Sequence, residues 1–347
     1  MSSQANLATD WRAGYGPIAH RSETIERMQA LVQRLVAQRR IADEASAHAL
    51  LAAADRVACT AMSVVAHMTY ARRIDRSGCP LGSDDFKQTP EGHTGGSLNM
   101  VPAFVGYLLA NALTGTTRGW LMGQGHCVAA IEAVNALTGD VSAAQRGRYD
   151  RSEAGLSRLI ADFYSYAIDK QGRPAVPLGS HAGPNTAGAS SEGGYLGFAG
   201  LQYVHTPLPG ESLVAFLSDG AFEEHRGSDW APRWWRAEDC GFAIPVMILN
   251  GRRIEQRTQI VQEGGATWLA EDLRHNGFDP VIVDGRDPMA IAWAIVEAED
   301  TLSAFAARSD RRYPVKLPYV IAESEIGFGF TGAATYAGHF LPLVVIP

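Results

Sequence analysis

Two short apolar runs in this chain each end in an oxygen ligand followed by glycine. "SLVAF" leads into Asp219-Gly220, and "IPVMI" leads into Asn250-Gly251 about thirty residues later. A carboxylate and an amide oxygen together suit a hard cation. Alone they make a weak site, but Mg²⁺ takes its remaining ligands from waters and from the phosphate oxygens of a bound cofactor. The pair therefore points to Mg²⁺ holding a diphosphate, with Gly220 and Gly251 letting the backbone turn and approach closely. Asp-Gly and Asn-Gly are also ordinary turn dipeptides, so spacing alone leaves that alternative open.

The elements that would position the pair follow from pattern. Residues 22–72 have apolar positions at three- and four-residue spacing with no Pro or Gly, which predicts two or three helices. The loop "RSGCPLGSDDFKQTPEG" then separates a helical arm or cap, residues 1–88, from a main domain, residues 89–347. Beyond it, short apolar runs alternate with helical segments. "RGWLMG", "LVAFLSDG", "IPVMILNG", "FDPVIVDG" and "PYVIAESE" read as strands. "VPAFVGYLLANAL", "AAIEAVNALTG", residues 230–238, "ATWLAEDLRHNG" and "PMAIAWAIVEAEDTLSAFAAR" read as helices. This alternation predicts an α/β fold, a mostly parallel sheet with helices on both faces. In such sheets ligands sit beyond the carboxyl ends of the strands, where Asp219 and Asn250 fall.

Composition narrows the function classes. The chain is 46% hydrophobic and 19% charged, with a formal net charge of −7. Nothing in that balance suggests nucleic acid or an anionic membrane as partner, and "RWWR" and "GRRIEQR" read as solvated surface. Four scattered cysteines without a C-x-x-C pair argue against a disulfide framework or a zinc site. No continuous apolar run reaches the roughly 18 residues of a membrane span. The expected location is the cytoplasm.

At this point the residues resemble a known family. Asp-Gly followed by Asn is similar to the thiamine-diphosphate motif of transketolase-like enzymes, and the wider match is to phosphoketolases. "EGHTGGSLNMVPAF", "WLMGQGHCVAA", "GSHAGPNTAGASSEGGYLGFA", "SDGAFEEHRGSDW" with "MILNGRRIEQRT", and "GAATYAGHFLPL" resemble that family's segments in order. The resemblance implies the thiamine-diphosphate-binding fold. It implies Mg²⁺ on Asp219, Asn250 and the backbone carbonyl of Arg252. Cofactor contacts are implied at Gly194, Leu196, Asp219, Gly220, Ala221, Asn250, Arg253 and His339. His93, His126, His181 and His339 would face the thiazolium, where imidazoles exchange protons with sugar hydroxyls near neutral pH.

The implied activity is cleavage of, or C2 transfer from, a ketose phosphate such as xylulose 5-phosphate. The alternatives are a sugar-phosphate epimerase or isomerase on the same fold, and a non-catalytic subunit. Among the remaining histidines, His67 reads as a packed core residue, and His20, His48, His205 and His275 as structural or surface. Four departures stand out. Ser218 replaces a glycine, Arg253 replaces a lysine, "CVA" follows His126, and either Glu223 or Glu224 occupies the acidic position. The chain stops at "LPLVVIP", where relatives continue into a pyrimidine-binding domain that supplies an activating glutamate. A partner chain carrying that domain is therefore expected, in a homo- or hetero-oligomer, unless the chain is a truncated form or a remnant.

Overall fold

The structure is a computed structural model, and it describes residues 10–172, 212–223, 242–253, 256–308 and 315–335. The helices are α1 (Ser22–Ala37), α2 (Glu44–Tyr70), α3 (Thr94–Thr114), α4 (Val128–Thr138), α5 (Glu153–Asp162), α6 (Asp219–Glu223), α7 (Gln259–Glu263), α8 (Ala266–His275) and α9 (Pro288–Ala306). The strands are β1 (Gly119–Met122), β2 (Ser212–Ser218), β3 (Phe242–Leu249), β4 (Phe278–Asp284) and β5 (Leu317–Glu323). The described residues also hold a four-residue helical turn at Ala143–Arg146, short 3-10 turns at Trp11–Ala13, Ser83–Asp85 and Gly125–Cys127, and a two-residue ladder joining Arg252–Arg253 to Gln256–Arg257.

All five strands pair in parallel, in the order β1-β2-β3-β5-β4. This is the α/β, parallel-sheet architecture that the alternating pattern predicts. The interiors of the central strands are continuously apolar because both faces are covered. Leu213 to Phe216, Ile244, Val246, Met247, Val320 and Ile321 are inaccessible to solvent. Each such Leu, Ile or Val contributes about 1.5–3 kcal/mol by leaving water.

α3 and α9 pack on each other and on the sheet, and α2 lies outside them against α3 and α4. Residues from α1 and α2 belong to the same continuous hydrophobic core as the sheet. α2 and α3 are long and apolar enough, by length and composition, to cross a membrane, which the search for continuous apolar runs missed. Polar residues such as Asn99 and Asp55 interrupt their apolar runs, and those polar groups are buried inside the fold. α3 also starts before the predicted Val101 and carries Pro102 in its interior. Nearly every residue of α3 is buried, so tertiary packing overrides the local cost of the proline.

The close α3–α9 crossing depends on Gly106. A Cβ there would lie 2.7 Å from the Pro288 carbonyl oxygen and 2.9 Å from Ile291. Overpacking of this kind costs about 1–3 kcal/mol, against about 1 kcal/mol regained in helix propensity. Gly106→Ala should therefore lower stability by a net amount on the order of 1 kcal/mol, read as a lower urea midpoint. An unchanged midpoint would mean the helices part freely.

The two ends of the sheet differ. At the amino-terminal end, buried Arg118 pairs with Glu299 of α9, and Glu299 also accepts from the Ser212 hydroxyl at 2.7 Å. Arg118 donates further to Asn111 at 2.9 Å and Thr114 at 3.1 Å. That end is locked by a satisfied ion network. The carboxyl end carries the polar groups considered below.

His20 proves structural, and more deeply so than its surroundings in sequence suggest. Its ring is inaccessible and lies 3.0 Å from Asp55 on α2 and 3.0 Å from Asp287, which caps α9. Burial pulls the imidazole pKa down, but the two carboxylates outweigh it and raise it to about 10. The ring is thus an imidazolium pinning the segment before α1 to two core helices. His67 is half-buried and bonds the Ser63 carbonyl of its own helix at 2.7 Å, while His275 is exposed. The predicted helix at 230–238 lies outside the described residues.

Candidate functional site

The site is assembled from consecutive strand ends. β2 ends at Ser218, so Asp219 stands at its tip; β3 ends at Leu249, so Asn250 stands at the tip beside it. On the far side of β2, Gly123 leaves β1 with its N–H bonded to the Phe216 carbonyl at 2.9 Å. On the far side of β3, Ser324 leaves β5 with its N–H bonded to the Leu249 carbonyl at 2.9 Å. Four neighbouring tips therefore lie side by side at the carboxyl end of the sheet, the end where parallel α/β sheets bind ligands.

Asp219 is fully buried and clamps the two central tips together. One carboxylate oxygen accepts from the Gly251 N–H at 2.8 Å and lies 3.4 Å from the Thr258 hydroxyl; the other accepts from the Gly220 N–H at 3.0 Å. Burial pushes the carboxyl up to about 7 against the pull of those N–H groups, with Glu223 adding to the rise. Gly251 has φ +79°, the left-handed conformation the turn requires. Gly220 does not turn the chain in that way. It begins α6 with right-handed geometry, and the space where its Cβ would sit faces the Arg252 carbonyl at 3.5 Å. A Cβ there would make only ordinary van der Waals contacts, so neither a sharp bend nor close packing demands glycine at this position.

Asn250 accepts from the Arg252 N–H at 3.1 Å and donates to the Asn99 side chain at 3.4 Å. Asn99, inside α3, is anchored in turn by donating to the Ser324 hydroxyl at 2.9 Å and the Glu325 carbonyl at 2.7 Å. The Asp219, Asn250 and Arg252-carbonyl oxygens thus stand around one turn. Among the described residues no cluster of three His, Cys, Asp or Glu side chains could hold a metal. An acid-amide-carbonyl set is a different type: it suits a hard cation that brings phosphate oxygens with it. The chemistry of the donors fits Mg²⁺, and a buried carboxylate raised in this way gains most from a nearby cation.

Of the other predicted residues, Ala221 is half-buried on α6, and Arg253 reaches the Gln256 side chain at 3.2 Å. The Arg252 guanidinium holds the Ala334 carbonyl at 3.0 Å, docking the turn that follows β5. Glu223 accepts from the Ile260 N–H at 2.6 Å, capping α7, so its carboxylate serves the frame; Glu224 lies outside the described residues. His93 precedes α3, and His126 follows β1 in the short turn Gly125–Cys127. Their rings meet edge to face, with centroids 4.8 Å apart. Gly96 leaves room for them, since a Cβ there would sit 3.0 Å from the Cys127 sulfur and 3.6 Å from His126 Nε2. Two of the four predicted histidines are therefore brought together. His181, His339, Gly194 and Leu196 lie outside the described residues.

Residues 46–310 match the XFP N-terminal domain. The chain belongs to this family. Its relatives bear the name probable phosphoketolase: one from Streptomyces coelicolor is 32% identical over 160 residues, covering 44% of this chain and 18% of the relative. One from Pseudomonas putida is 26% identical over 232 residues, covering 64% and 27%. Probable phosphoketolase 2 of Lactiplantibacillus plantarum is 26% identical over 229 residues, covering 64% and 27%. The matched part spans about a quarter of the length of the latter two relatives.

Sequence reasoning missed three features of this XFP N-terminal domain: Asn99, Thr258 and Gln124. Gln124 leaves β1 buried and donates to the Leu217 carbonyl at 3.1 Å. The available signal for Asn99 was an amide placed directly before the apolar run Met100–Val105, since such a group is buried only with partners.

Proposed function

We propose that this chain binds the diphosphate of thiamine diphosphate through Mg²⁺ and contributes that half of the active site to a phosphoketolase-like cleavage of a ketose phosphate. The observation that carries the reading is the Asp219–Gly251 bond. It joins the two strand tips, bringing Asp219, Asn250 and the Arg252 carbonyl around one turn.

Thiamine diphosphate, when bound, supplies the carbanion stabilisation that breaking a ketose C–C bond needs. The chain's own part is positioning. Asp219 and Asn250 would hold the metal, and Asn99 keeps the Asn250 amide from rotating. Arg253 would add positive charge near the phosphates. His93 and His126, as a touching pair, would take and return protons at the sugar hydroxyls, with xylulose 5-phosphate as the substrate of choice. A pyrimidine-domain chain would complete the site with the activating glutamate, making the working unit an oligomer.

Titration calorimetry of the full chain with thiamine diphosphate tests this. Binding that requires Mg²⁺ is expected, alone or on adding a separate pyrimidine-domain chain. Absence of Mg²⁺-dependent heat with that chain present would overturn the reading.

A further inference from the structure

Tyr164 sits in a backbone conformation its side chain disfavours. Its φ is +61°, and Tyr166, two residues on, has φ +52°. Bulky side chains take this region only where their surroundings over-determine it, and such positions concentrate at functional sites. The surroundings here are specific. The Tyr164 ring is buried and meets Phe163 edge to face at 4.5 Å. The Lys87 ammonium lies 6.0 Å over that ring and donates to the Met68 and Phe163 carbonyls.

Both tyrosines reach back to the same stretch, the entry into α3. The Tyr166 hydroxyl donates to Glu91 at 3.0 Å. The Tyr164 ring fills the space beside Gly92, where a Cβ would lie 2.6 Å from Cε2, 2.8 Å from Cζ and 2.9 Å from the hydroxyl oxygen. Gly92 has φ +143°, a conformation open to glycine. The next residue is His93, whose N–H points to the Tyr164 oxygen across a long 3.5 Å. The tight contact is therefore the ring against Gly92, and the hydroxyl is secondary.

We infer that Tyr164 is a positioning residue: its ring, wedged against Gly92, sets the backbone from which His93 projects and so holds the His93–His126 pair in register. It acts through His93, and its functional meaning rests on the proposal that this pair faces the sugar. The strain at residue 164 then has a purpose. A left-handed backbone is what turns the ring back toward Gly92, and relaxing it would carry the ring away.

The test is magnetic resonance on the full chain labelled at the histidine rings, following the cross-ring Overhauser signal between His93 and His126. Tyr164→Asn removes the ring but keeps a residue that tolerates the left-handed backbone. That signal should fall several-fold at temperatures where the variant is still folded, with the lower melting temperature that loss of a buried ring brings. Tyr164→Phe keeps the wedge and should retain most of the signal. Gly92→Ala pushes on the same contact from the other side and should lose it too. A full signal in Tyr164→Asn overturns the inference; should that variant fail to fold, a full signal in Gly92→Ala does the same. The readout needs neither cofactor nor turnover, so a failure to bind thiamine diphosphate would overturn the proposed function and leave this result standing.

Discussion

Asp219→Asn is expected to lose Mg²⁺-dependent binding of thiamine diphosphate altogether at accessible concentrations. The variant keeps the volume of the side chain and one oxygen to accept from the Gly251 or Gly220 N–H, while its NH2 leaves the other N–H without an acceptor at a cost of about 1–3 kcal/mol. It removes the only charge in the proposed donor set. Replacing a group that orients a metal ligand typically weakens metal affinity about 10- to 100-fold, and removing the charged ligand should exceed that. Asn99→Ala provides the internal scale: it frees the Asn250 amide on one side and should fall within the 10- to 100-fold range. Calorimetry on both variants decides. Binding by Asp219→Asn within a few-fold of the parent would remove Asp219 from the metal site.

The same substitution separates function from stability. Holding an ionised carboxyl where burial raises it to about 7 opposes folding at neutral pH. Relative to an ordinary aspartate the penalty is on the order of 4 kcal/mol. Without cofactor, Asp219→Asn should consequently melt no lower than the parent. A variant that binds nothing yet folds at least as well marks a residue kept for its ligand.

Much of the frame was legible because buried parallel strands announce themselves as short continuous apolar runs. The predicted "LVAFLSDG" and "PYVIAESE" fall on β2 and β5 to within a residue or two at each end. The Asp and Asn at the tips were legible for the same reason, since a polar ligand straight after a buried run has few places to go. Strand order was not legible. β5 inserts between β3 and β4, and that pairing joins Val246 to Val320 across the chain with no local trace. Side chains whose partners are remote were hidden likewise. Asn99 bonds Ser324, and the Tyr164 ring occupies the space beside Gly92. A glycine in sequence also does not disclose whether its freedom is used: Gly251 uses its φ, whereas a Cβ at Gly220 would meet only ordinary contacts.

His20 is the clearest case of a remote dependence, and its removal is the largest stability change expected. Its partners lie on α2 and at the cap of α9, both fully or almost fully buried. His20→Ala leaves two buried carboxylates facing each other with no cation between them. Breaking a buried ion pair from one side costs about 3–5 kcal/mol, because the remaining charge has lost its compensation. The pH dependence follows from the direction of the shift. The folded state holds the imidazole proton up to about pH 10, whereas an ordinary histidine releases it near 6.5. Above that lower value the folded state binds more protons than the unfolded one, so stability must fall as pH rises. The contribution is complete below about pH 6.5 and is lost on approaching about pH 10. Urea unfolding at several pH values across that window should show the parent losing stability steadily. His20→Ala should start lower and lose much less over the same range, so the two curves converge at the alkaline end. Parallel curves would mean that His20 is neutral in the fold and that Asp55 and Asp287 are held by something other than its charge.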